Sequence, residues 1–124
     1  ERYFNYFVLE NERFYLMRKR AGKDIWLNLN EFYLLEEKNK QTAVKNFINK
    51  LNKIKIKEIN MKEKKAKGFL SHQKINVCFF KIFIPEKKVL SSIKNRLNLK
   101  MVNKKEINNY AVPKVIDNYL KCRG

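Results

Sequence analysis

Carboxylates are scarce in this chain. Twelve Asp and Glu stand against 29 Lys and Arg in 124 residues, a formal net charge of +17. Such an excess draws polyanions, so DNA, RNA and anionic membrane surfaces are the partners to weigh. Part of it is background, because lysine, asparagine and isoleucine crowd the sequence in the way AT-rich coding DNA produces. Cysteine is nearly missing: Cys78 and Cys122 are too few for a disulfide framework. Long hydrophobic runs are missing too. Lys81 interrupts Phe79–Ile84, so no segment reads as a membrane span, and no membrane partner is expected. The first residues do not read as a secretory h-region, and the sequence opens at Glu1 without a methionine. We expect a piece of a longer protein, monomeric, working in the cytoplasm at the nucleoid.

What is present is a chain long enough for one domain with a real core, residues 1–124. Its centre of gravity is the stretch Gly68–Ile84. Ile75, Val77 and Phe79 point one way along a strand, and Cys78, Phe80, Ile82 and Ile84 point the other. Apolar residues on both sets predict a strand in the middle of a sheet, covered on both faces, with Cys78 as a small core residue. Before it comes a polar corner, Ser71-His72-Gln73, holding the only histidine of the chain. Such a corner is either a solvated turn or a recognition group on rigid support.

Around that strand, Tyr3–Leu9 and Arg13–Arg18 read as a β-hairpin across Glu10-Asn11-Glu12. A basic loop follows, Arg18 to Lys23 with Gly22 at its bend, either solvated or touching phosphates. Trp26 precedes a short apolar strand and is expected to anchor its loop to the core. Gln41–Lys53 is the clearest helix, with Val44, Phe47, Ile48 and Leu51 in one stripe and Thr42 as its expected cap. Ile54–Lys57 alternates like a strand. Asn60–Lys67 carries four lysines in eight residues and is expected to be a solvated or DNA-facing loop. Val89–Arg96 shows no clear pattern, and Leu97–Val102 reads as a last strand. Asn103 and Glu106 match a capping box. Pro113 opens a helix with Val112, Val115, Ile116, Tyr119 and Leu120 on one face. The order β-β-β-α-β-β-β-α predicts an α/β (α+β) domain, a mixed sheet between amphipathic helices.

Three segments in order carry a family resemblance. They are Gly22-Lys23-Asp24-Ile25-Trp26 running on to Phe32, Leu70-Ser71-His72-Gln73-Lys74-Ile75, and Tyr110–Leu120 (YAVPKVIDNYL). Together they resemble the C-terminal domain of MutY-type A/G-specific adenine DNA glycosylases across nearly the whole chain. That resemblance implies a Nudix-like α/β/α sandwich, a role in base excision repair, and recognition of 8-oxoguanine opposite a mispaired adenine. It also implies a separate N-terminal domain of the same chain carrying the catalytic carboxylates and a [4Fe-4S] cluster; two cysteines cannot hold that cluster here. The family's recognition loop reads Phe-Ser-His. Leu70 stands at its first position here, apolar but without a ring.

Two enzymatic readings fail on residue types. Metal-assisted phosphate hydrolysis on the predicted helix needs carboxylates for Mg²⁺, and none lies between Lys38 and Lys57. Ser71 and His72 are adjacent, and on a strand would point apart, so they make no triad. The fragment alone is expected to be non-catalytic. The lesion supplies the chemistry that Ser71 suits. Guanine offers N7 as an acceptor, and oxidation at C8 turns N7 into an N–H donor beside a new carbonyl oxygen. A hydroxyl can accept from that N–H. Ser71 is therefore the expected contact, with Leu70, His72, Gln73 and Lys74 forming its loop, and Arg20 and Lys23 gripping the double-stranded DNA backbone. Two other readings stay open: a structural or protein-docking domain that reads no lesion, and a phosphohydrolase with a displaced metal site.

Overall fold

In the computed structural model, residues 1–22, 25–52, 54, 61–70 and 73–122 are described, the side chains of 61, 67–70 and 73 excepted. The strand expected at Ile54–Lys57 therefore lies mainly outside the described residues, and Lys23, Ser71 and His72 lie wholly outside them.

The chain opens with β1, Arg2–Glu10, and β2, Phe14–Lys19. The break between them is tied by Asn11, whose Oδ1 accepts from the backbone N–H groups of Arg13 and Phe14, both at 2.8 Å. A short side chain that mimics a backbone turn is why asparagine suits this bend. Next come β3, Asn30–Glu31, and β4, Tyr33–Glu36, then α1, Lys40–Leu51. Asn39 caps α1 by accepting from the Thr42 N–H at 3.0 Å. The cap is thus Asn39, not Thr42, which supplies the donor instead.

β5, Met61–Leu70, and β6, Gln73–Phe83, form a long antiparallel pair. The lysine-rich stretch expected to be a loop is a strand of ten residues. The reason is that an edge strand needs only main-chain pairing on one side, and its lysines stay in solvent while the backbone bonds to β6. α2, Lys87–Leu97, occupies the stretch that showed no pattern, burying Leu90, Ile93 and Leu97. Asn98 ends it in the left-handed region (φ 56°), so the last strand, β7, begins only at Lys100 and runs to Asn103. Asn103 then caps a 3-10 helix, Lys104–Asn109, accepting from the Lys105 N–H. α3, Lys114–Cys122, closes the chain, with the Pro113 carbonyl accepting from Ile116 and Asp117.

The sheet has seven strands. Its main path runs β3-β2-β1-β6-β5, with β4 also paired to β1 and β7 to β2. β6 lies parallel to β1 from Arg2↔Ile75 to Glu10↔Phe83 and antiparallel to β5 on its other side. The two-sided strand predicted from sequence is found here. Ile75, Val77 and Phe79 join a core under α3 with Phe4, Tyr6 and Val115, Ile116 and Tyr119. Cys78, Phe80, Ile82 and Ile84 join a second core under α1 and α2 with Phe7, Phe47, Leu90 and Ile93. Stacked rings lock both layers: Phe7 on Phe47 at 4.1 Å, and Phe79 on Tyr119 at 4.2 Å. The result is the expected α/β/α sandwich.

Candidate nucleic-acid interface

The strands that flank the expected recognition corner in the chain are β5 and β6. Leu70 and Gln73 are register partners at the last rung of the β5–β6 ladder, and Gly68 faces Ile75 two rungs below. Gln73 is accordingly the first residue of β6 and not a free corner residue. Ser71 and His72, which separate the two partners in sequence, fall outside the described residues. Lys74, next along, is exposed, with Nζ 3.6 Å from Glu1 Oε1. The neighbouring start of β1 shares this end, since Arg2 pairs with Ile75 and Tyr3 with Asn76. Arg2 grips Glu36 through two hydrogen bonds, at 2.6 and 2.8 Å.

Positive charge flanks the end along β5. Lys62, Lys64 and Lys65 are all exposed, so the edge strand carries cations on both its faces. Lys64 lies over the Tyr119 ring at 5.7 Å. Lys40 pairs with Glu63, and that hydrogen bond, seconded by one from Cys78, holds the Glu63 carboxyl below its ordinary value. The Cys78 thiol donates to Glu63 Oε1 at 3.4 Å; burial first, then that carboxylate, push its pKa up to about 12.

The basic loop is organised differently from what the sequence suggests. Arg20 is 9% exposed and turned inward. Its guanidinium donates to Glu31 at 3.2 Å and to the Ile25 carbonyl at 2.9 Å, and lies over the Phe4 ring. Arg18 reaches the other oxygen of the same buried carboxylate at 3.0 Å. Arg20 thus spends its charge on Glu31 and on closing the loop, which is also held by bonds from Arg20 N to Leu29 O and Asn28 N to Arg20 O. Sequence could not reveal this, because Glu31 arrives only through the Arg18↔Glu31 register of β2 and β3. Trp26 does anchor the loop, meeting Phe4 edge-on at 5.6 Å. Gly22, at φ 96°, holds a backbone angle that other residues resist.

One feature was not foreseen. A cavity of about 350 Å³ opens part-way along the β5–β6 ladder, near the Ala66↔Val77 pair, between β1, β5, β6 and the entry to α1. Tyr3, Asn5, Asn76 and Val77 line it, with Lys38 and Lys65 at its rim. The available signal was two asparagines, Asn5 and Asn76, set into otherwise apolar strands. Among the described residues no group of three or more His, Cys, Asp or Glu could hold a metal ion. Cys78 is buried and Cys122 exposed, and two thiols do not fit a four-cysteine cluster. No helix of the described residues is long and apolar enough to cross a membrane.

Comparison with known proteins agrees with this architecture. A family model for the NUDIX domain matches residues 5–122. Among solved structures, the chain is similar to the C-terminal domain of mouse MUTYH, solved in complex with human PCNA. The TM-score is 0.71 at 15% identity, covering 98% of this chain and 86% of that one. No curated protein matches the sequence.

Proposed function

Because this chain belongs to the NUDIX domain family, yet carries a helix α1 without a single carboxylate, we propose that it reads DNA instead of hydrolysing a diphosphate. In this reading it is the lesion-recognition domain of an adenine DNA glycosylase. It grips duplex DNA around an 8-oxoguanine opposite adenine, while a separate N-terminal domain with its iron–sulfur cluster excises the adenine. The observation that carries the reading is the β5–β6 hairpin. Its ladder runs to Leu70↔Gln73 and leaves the Ser71-His72 pair as the link between two long, paired strands, one of them lined with lysines. The shared fold with the MUTYH domain supports it.

Ser71 accepts from the N7–H that oxidation creates, a proton undamaged guanine lacks. His72 orients the loop or meets a phosphate. Lys74 and the lysines of β5 add attraction that does not depend on sequence. The adenine is flipped toward the catalytic half, and this domain holds the opposite strand. The expected discrimination from one such hydrogen-bond set is roughly 1–3 kcal/mol. With the domain joined to its catalytic half, Ser71→Ala with His72→Ala should erase the preference for 8-oxoguanine over guanine opposite adenine while sparing overall duplex affinity. An unchanged preference in a binding titration refutes the role given to the corner.

A further inference from the structure

A groove of about 690 Å³ opens where the end of β2 meets the end of α2, on the opposite side of β1 from the β5–β6 hairpin. Arg18, Lys19 and Lys100 line it, with the buried Leu97 and Leu99 as apolar lining. The one carboxylate among its lining residues is Glu31, which Arg18 and Arg20 already share. The last turn of α2 adds Lys94 and Arg96, and their charge offsets the partial negative charge of a helix C-terminus.

Arg18 is the residue arranged for a ligand. A carboxylate ordinarily takes an arginine with both oxygens, on two parallel bonds. Here Glu31 gives Arg18 only Oε2, which accepts from Nε at 3.0 Å, because Arg20 Nη1 occupies Oε1 at 3.2 Å. The Arg18 guanidinium is thus held along one edge and lies over the Tyr33 ring at 5.4 Å. Its two terminal nitrogens make no hydrogen bond among the described residues, and the side chain is 35% exposed. A planar fork fixed on one side and open on the other matches two oxygens of one phosphate. Lys19 and Lys100 beside it are exposed, and Lys100 Nζ is seated over the Tyr110 ring at 5.0 Å.

Register says how far this fork stands from the hairpin. Arg18 lies over Tyr33, Tyr33 faces Phe7 on β1, and Phe7 faces Phe80 on β6. From Gln73, at the last rung of the hairpin, to Phe80 is roughly 23 Å along β6 at about 3.3 Å per residue. β4 lies two strand spacings to the side, roughly 10 Å. The groove is therefore roughly 25 Å from the last rung, about seven base-pair steps of a duplex. We propose that it binds a backbone phosphodiester of the same duplex that the hairpin engages, on Arg18 with Lys19 and Lys100. This rests on the reading of the domain as one that grips DNA, and adds a second grip far from the lesion.

The test is a set of binding titrations across salt, with the domain joined to its catalytic half and duplexes holding 8-oxoguanine opposite adenine. One duplex extends about twelve base pairs to each side of that pair and the other about five, short of the groove. On the long duplex Arg18→Gln should weaken binding about tenfold, and Arg18→Lys, which keeps the charge without the fork, should recover only part of it. Adding Lys19→Gln and Lys100→Gln to Arg18→Gln should lower the slope of log K against log salt by roughly 2–3. On the short duplex these exchanges should change neither affinity nor slope. Lys19→Gln with Lys100→Gln alone, both at exposed positions, should lower the long-duplex slope by roughly 1–2, a readout that stands even where loss of Arg18 disturbs the Glu31 cluster. Equal losses on both duplexes, an unchanged slope on the long one, or a lost preference for 8-oxoguanine would overturn the groove while leaving the DNA reading in place. Absence of duplex binding by the unaltered protein would overturn both.

Discussion

At the scale of single residues, Glu31 shows how tertiary structure assigns charge. It is 1% exposed and is shared by Arg18 and Arg20. Removing it takes the carboxylate away from the well-buried Arg20 cation, a change that costs about 3–5 kcal/mol in comparable buried pairs. Glu31→Ala should therefore lower the urea midpoint sharply, and more than Arg18→Ala, whose side chain is the more exposed of the two cations. Cys78 gives a prediction of another kind. Its thiol ionises near 9.0 when the chain is unfolded and near 12 in the fold. A raised folded value means the stabilisation is complete below about 9 and is lost as pH rises from there toward about 12. Denaturation midpoints should fall across that window, and replacing Cys78 by Ala should reduce the slope, leaving the part due to Tyr6, Tyr33 and Lys40, whose values the fold also raises. At pH 8 a thiol reagent should modify exposed Cys122 promptly and Cys78 only as the chain unfolds.

At the scale of elements, Phe47 is the largest of the three buried side chains, with Ala43 and Leu51, that pack α1 on the sheet. Phe47 is fully buried and stacks on Phe7 at 4.1 Å and against Tyr33 at 5.9 Å. Phe47→Ala should cost about 3–5 kcal/mol by opening a cavity in that layer. Chemical denaturation measures it, and a loss under 1 kcal/mol would show that the layer collapses around the gap. The elements also show what sequence could convey. β6 was legible because both of its faces are apolar, α3 because it keeps one clean stripe, and α1 because Phe47 and Leu51 hold to theirs, although Ile48 of the expected stripe is exposed and Ala43 is buried instead. β5 was not, because its pairing is made by the backbone and its lysines carry no pattern. α2 was missed although Leu90, Ile93 and Leu97 recur at helical spacing, since lysines and serines dilute the stripe. Of the candidate site, the strand that follows Ser71 and His72 in the chain, β6, was readable, and the strand that precedes them was not. The inward turn of Arg20 and the cavity around Asn5 were not, because both depend on residues brought together from distant strands.

For the whole molecule, charge decides how the domain meets a polyanion. Several of the 29 Lys and Arg are committed internally, as at Glu31, Glu10 and Glu36, but those along β5 mostly face solvent. If β5 lies along DNA, affinity should fall steeply with salt. Each phosphate neutralised should contribute a slope of roughly −0.9 in log K against log salt for a duplex. Exchanging Lys62, Lys64 and Lys65 for glutamine should reduce that slope by about 2–3 if each lysine meets a phosphate. A slope unchanged by the triple exchange places the contact elsewhere.

The parallel union of β1 with β6 has a consequence for how the chain is made. Residues 2–10 leave the ribosome ahead of their longest partner, 75–83, which follows about 70 residues later. Through that interval a greasy segment waits with one flank unclaimed, open to neighbouring chains. A nascent polypeptide cut short before β6 should clump, and one that includes it should not.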